Sequence, residues 1–94
     1  MDEKKVNLEK SFAKKLGMGT TAKRIFQDLD DELNVLILNF KDVEFISRLF
    51  AQEYVYQKNN SHVSIKEENM SEFIKELLNV VEEDYIETYG VKNI

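Results

Sequence analysis

Residues 36–54, LILNFKDVEFISRLFAQEY, decide the reading of this chain. Val35, Leu36, Ile37 and Leu38 are consecutively apolar and partly β-branched, which suits a central strand over 33–40 with both faces covered. Lys41, Asp42, Val43, Glu44, Phe45 and Ile46 then make a connection with two acids and three apolar groups, and Ser47 stands where a helix takes its N-cap. Over 48–58, Phe50, Ala51, Tyr54 and Val55 share one arc of a helical wheel and define a core-facing stripe. Leu49 and Tyr56 lie well outside that arc. Apolar groups on the far side of an amphipathic helix mark either a contact surface or a seat for another element of the same domain.

Downstream, KNNS at 58–61 is a polar break, after which Val63 and Ile65 alternate with His62, Ser64 and Lys66. That alternation predicts a strand over 62–66 with one wet face. Strand 33–40, helix 48–58 and strand 62–66 form a βαβ unit, whose strands are expected to be parallel with a right-handed crossover. Asn69-Met70-Ser71-Glu72 reads as a capping box opening the last helix, and Gly90 is placed to end it. Its apolar residues, from Met70 and Phe73 through Val80 and Val81 to Tyr85 and Tyr89, fall on one broad side over five turns, the strongest amphipathic signal in the chain. Glutamates hold the rest of that helix, with Lys75 the lone base among them.

Upstream, Asp28, Asp30, Asp31 and Glu32 fail the calcium-loop pattern, because the sixth and twelfth positions from Asp28 are Leu33 and Asn39 instead of Gly and Glu. A solvated turn is the reading. Ala22, Ile25, Phe26 and Leu29 predict a helix over 21–29, capped by Thr20 or Thr21. Gly17-Met18-Gly19-Thr20-Thr21 before it has the glycines of a phosphate loop but lacks the Lys that should follow. In residues 1–16, Val6 and Leu8 alternate as in a strand while Leu8, Phe12 and Leu16 recur at four-residue spacing; a strand over 5–8 is preferred.

The composition narrows the function. A chain of 94 residues supports one domain, 1–94. A net charge of -5 repels phosphate backbones, so nucleic acid is not an expected partner. No apolar run approaches the roughly 20 residues that span a bilayer, and MDEKKVNLEK lacks the apolar centre of a secretion signal, so no membrane role and a cytoplasmic location are expected. Cys is absent, and the single His62 has no second His to share a metal. No acid, base and nucleophile set can be assembled, so neither an enzyme nor a cofactor is expected.

The run 36–54 resembles the STAS-like family catalogued as a domain of unknown function, in which a strand ending in D-F or N-F leads to a V-x-F-I-S-R-S-F-A-x-E helix start. Glu68-Asn69-Met70-Ser71 is similar to that family's N-M-S start to its last helix. The resemblance covers residues 12–94. It implies a small α/β layer fold, with about a four-stranded mixed sheet and three main helices, shared with anti-sigma-factor antagonists. Those regulators bind a partner kinase through the strand-to-helix loop and are switched by phosphorylation of a Ser at that helix start. This chain departs at one position: Leu49 stands where the family pattern has Ser after Arg. Leu cannot accept phosphate, which leaves Ser47 as the candidate phosphorylation site beside its role as N-cap.

Two functions of different class follow. The first is a non-enzymatic regulatory module that binds a protein, a kinase-like ATPase being the partner the resemblance implies. Its expected contact residues are Asp42, Glu44, Ser47, Arg48, Leu49 and Tyr56, because loops at the carboxyl ends of parallel strands are where partners bind. The alternative is a small-ligand or nucleotide sensor using the 17–21 loop and the strand ends as an anion cradle.

Overall fold

The apolar run 33–39 becomes β3 (Leu33–Asn39), the middle of a three-stranded sheet between β1 (Asp2–Asn7) and β5 (Ser64–Glu68). This is a computed structural model that describes residues 2–90; Met1 and residues 91–94, which the domain reading 1–94 includes, lie outside the described residues. Leaving β1, the chain makes a short helix α1 (Leu8–Ser11), a two-residue strand β2 (Lys15–Leu16) and helix α2 (Gly19–Phe26). Leaving β3, it makes a second two-residue strand, β4 (Phe45–Ile46), and helix α3 (Arg48–Asn59). Helix α4 (Glu72–Tyr89) follows β5.

Both sheets are parallel: β1, β3 and β5 in one, β2 and β4 in the other. The class is therefore α/β as expected, but the strands divide three and two, and the sheet is not mixed. The cause is in the connections. Each pair of neighbouring strands in the larger sheet is joined through a helix, and a helical crossover returns the chain in the same direction.

Partners in a parallel ladder point to the same face. Val6 and Leu38 are paired, as are Leu36 and Ile65, and these line the inner face. Lys5, Ile37 and Lys66 pair on the outer face, beside Glu3, Val35 and Ser64. Leu36 and Leu38 are fully buried whereas Val35 and Ile37 are half-buried. The expectation that β3 is covered on both faces is thus corrected: the helical layer covers one.

Element boundaries moved where tertiary contacts outranked local signals. The first strand runs from Asp2 to Asn7 instead of over 5–8, and Leu8 opens the one-turn helix α1 with its side chain buried, while Leu16 falls in β2, so the four-residue spacing of Leu8, Phe12 and Leu16 does not make one helix. Helix α2 begins two residues before the expected 21, with Met18 at its N-cap and no side-chain cap, and ends before Asp28, whose φ of 57° is left-handed. The last strand is shifted from 62–66 to 64–68; Val63 is buried just ahead of it. Ser71, not Asn69, caps α4 by accepting from Ile74 N. Asn69 instead holds a left-handed turn with φ 58° and donates its amide to Asn39 Oδ1.

The two faces of β3 should respond differently to truncation. Leu38→Ala is expected to lower unfolding free energy by about 2–5 kcal/mol, and Ile37→Ala by clearly less because its side chain is only partly buried. Urea denaturation of both variants measures the contrast.

Candidate protein-contact surface

Ser47 fixes the start of α3. Its Oγ accepts from Phe50 N at 3.0 Å, which is the expected N-cap, and donates to the Gly17 carbonyl at 2.7 Å. Its backbone N donates to Leu16 O, and Glu44 N donates to Lys14 O, so segment 44–47 is zipped to segment 14–17. The hydroxyl therefore works as cap and clasp together.

From that fixed start, α3 turns Phe50, Ala51, Tyr54 and Val55 into the core, as its spacing predicts. Leu49 is left 67% exposed and Tyr56 46% exposed, on one ridge of the helix. Arg48, next to Leu49, pairs its Nη2 with Asp84 Oδ2 at 2.7 Å and so ties α3 to α4. The six expected contact residues need two explanations. Arg48, Leu49 and Tyr56 belong to the outer side of α3 with Ser47 beneath its first turn, whereas Asp42 and Glu44 sit on the exposed loop after β3. Asp42 has a local cause, a left-handed φ of 65° that Asp tolerates better than most residues. Neither carboxylate has a hydrogen bond or ion pair among the described residues.

A second apolar flank was hidden in the sequence. Of the broad side expected of α4, Ile74, Leu78 and Val81 are buried, while Phe73 is 52% and Val80 47% exposed. Phe73 stacks on Phe45, ring centroids 6.2 Å apart and 19° from parallel. Phe73 and Val80 lie about 80–160° around the helix from the buried residues, an arc too wide for one neighbouring layer to cover. That width was the available signal.

Beneath α3, Tyr54 joins the layers. Its ring stacks on Phe50 and meets Phe40 edge-on and Phe26 at a tilt, and its hydroxyl donates to Glu67 on β5, which also pairs with Lys58. Burial, then the charge of Glu67 and the hydrogen bond to it, then Glu82, hold the Tyr54 hydroxyl well above the ordinary tyrosine range.

At the 17–21 loop, a Cβ on Gly19 would stand 3.5 Å from Glu53 Cβ, so a carboxylate-bearing side chain borders the proposed anion cradle. Gly17 O accepts from Ser47 Oγ. His62 is exposed, and among the described residues no group of His, Asp or Glu side chains is arranged to hold a metal ion. The acidic run 28–32 is a turn in which Asp30 Oδ1 accepts from Glu32 N, as expected.

Ser47→Ala removes cap and clasp and is expected to cost about 1–2 kcal/mol, read as a lower urea midpoint. Tyr54 supplies a pH dependence. A tyrosine whose pKa is raised on folding contributes stability that is fully present below its unfolded value of about 10 and is lost as pH rises through the folded value. Stability should therefore fall above about pH 10, and Tyr54→Phe should flatten that fall relative to the parent chain in melting curves taken from pH 8 to 11. Comparison with protein-family models, with curated proteins and with solved structures finds no match to this chain.

Proposed function

We propose that this chain is a non-enzymatic regulatory module that binds a protein partner through the outer side of α3 and the 41–47 loop before it, in the manner of the anti-sigma-factor antagonists it resembles. The observation that carries the reading is the ridge of Leu49 and Tyr56, two apolar side chains left in water on a helix whose start is held by Ser47. Scattered apolar residues on a surface need no explanation, but a row on one rigid element does. The order of β3, loop and α3 supports the STAS-like reading.

The partner proposed is a kinase-like ATPase, and the proposed location is the cytoplasm. No described helix is long and apolar enough to cross a membrane. With Leu49 at the family's Ser position, a phosphate switch would have to act on Ser47. Phosphate there would take away the proton donated to Gly17 and place about -1.5 to -2 charge on the loop that carries Asp42 and Glu44. The helix N-terminus and Arg48 would offset part of that charge.

Leu49→Glu is the direct test. Because Leu49 is largely exposed, the variant should melt within about 0.5 kcal/mol of the parent, while affinity capture from the source cell should lose a kinase-like ATPase that the parent retains. Capture of that ATPase equally by both chains, or its absence from both, would remove the reading.

A further inference from the structure

The net charge of -5 is unevenly spread: residues 1–27 carry seven of the 13 basic residues and three of the 18 acidic ones. The fold gathers four of those bases, Lys4, Lys5, Lys10 and Arg24, around a cleft of about 350 Å³ between β1, α1 and α2, and among the described residues no carboxylate lines it. Lys5 is shared with Glu68 at 3.0 Å, but Lys4, Lys10 and Arg24 have no ion pair among the described residues. Arg24 is steadied instead by the Phe12 ring, its guanidinium carbon 5.4 Å from the ring centroid, and Phe12 also lines the cleft. A guanidinium laid on a ring keeps its N–H groups for an anion.

Beside these charges stands a donor whose polarity the fold fixes. Asn7 closes β1, Asn39 closes β3 and Asn69 follows β5, at the carboxyl ends of the parallel strands, where open α/β sheets take ligands. The Lys41 backbone N–H donates to the Asn39 side chain at 3.0 Å, and since a backbone N–H can only donate, the atom it meets is Oδ1. Asn69 Nδ2 donates to the same oxygen at 2.8 Å. Asn39 Nδ2 must then donate to Asn7, at 2.8 Å, so the Asn7 atom it meets is Oδ1 in turn. The Asn7 amide nitrogen is left with no acceptor among the described residues, and Asn7 lines the cleft.

We propose that this cleft binds the diphosphate group of a small molecule, a site apart from α3's outer side and independent of the function proposed above. Three cations without an ion pair and one oriented amide suit a group that only accepts hydrogen bonds and carries about -3 charge, as a terminal diphosphate does. The volume falls in the roughly 300–1,000 Å³ range of small-ligand sites. A long polyanion is a poorer occupant, because residues 28–94 carry 15 acids against six bases and would repel a phosphate chain leaving the cleft.

The test titrates the full chain with sodium pyrophosphate and with sodium sulfate at constant ionic strength, following backbone amides by NMR. Pyrophosphate should shift Asn7, Lys10 and Arg24 saturably with Kd near or below about 1 mM, and sulfate should bind at least about tenfold more weakly. Asn7→Asp still accepts from Asn39 but puts an anionic oxygen where the amide donor stood, so pyrophosphate affinity should fall by at least about tenfold at an unchanged melting temperature. Lys10→Gln should weaken binding several-fold, whereas Lys75→Gln, which removes the same charge from α4, should leave it unchanged; this pair decides even if Asn7→Asp unfolds the chain. No saturable shift up to about 20 mM, equal binding of sulfate, or equal effects of Lys10→Gln and Lys75→Gln overturns the proposal. Tighter binding of phosphatidylglycerol vesicles or single-stranded DNA than of pyrophosphate, at equal phosphate concentration, would assign the cations to a macromolecule and overturn it as well.

Discussion

The handedness of parallel crossovers organises this molecule. The chain passes from β1 to its neighbour β3 and then onward to β5, always stepping in the same direction across the sheet. Right-handed connections stepping one way deliver their helices to one face, so α2 and α3 lie side by side over the inner face and pack against each other. Helix α4 then packs on the other flank of α3. α3 is thereby the middle of the helical layer, buried below and on both sides, and only its outer ridge can meet another molecule. The placement of Leu49 and Tyr56 follows from this topology as much as from their own spacing.

A central helix is useful as a contact element only if its register is fixed, and two polar interactions do that work from opposite ends of the layer. At the top, the Ser47 hydroxyl satisfies one of the free amides of the first turn while binding the carbonyl of Gly17. Below, the Tyr54 hydroxyl reaches Glu67 on β5, in a pocket where an unpaired hydroxyl would be costly. Among the described residues no buried side-chain polar atom is left without a partner. Large apolar side chains supply most of the stabilisation, each worth about 1.5–3 kcal/mol on full burial, and the two hydroxyls specify which helical face is presented.

The βαβ unit at 33–68 was legible because its signals are redundant: a β-branched run, a well-placed Ser and a four-residue apolar stripe agree with one another. The N-terminal segment was harder, since β1 owes its place to pairing with β3, and DEKKVN has little apolar pattern of its own. β2 and β4 are two residues each, too short for any periodicity, and exist because the Lys14 and Leu16 carbonyls meet the amides of Glu44 and Ser47, far along the chain. Of the proposed contact surface, Leu49 and Tyr56 could be read from helical spacing. Phe73 and Val80, part of the same broad apolar side as Ile74 and Leu78, are left exposed, because a sequence shows the width of an apolar arc but not the width of the layer that covers it.

The two broad surfaces of the domain are protected to different degrees. On the outer face of the sheet, half-buried Val35 and Ile37 are framed by Glu3, Lys5, Lys66 and Glu68, and Lys5 pairs with Glu68 across β3 at 3.0 Å. Charges of both signs placed so close to a strand face and its edges oppose pairing with another sheet. The face is also small. Three strands about 4.8 Å apart, a few residues long, offer far less than the roughly 800 Å² per partner of a stable interface. The helical side has no such frame. Leu49, Tyr56, Phe73, Val80 and Tyr89 stand in water there, and Arg48 with Asp84 is the one ion pair joining α3 to α4 among the described residues. A domain that screens one apolar surface with charge and leaves the other uncovered presents the uncovered one, and here that surface is built on the helix whose start Ser47 holds.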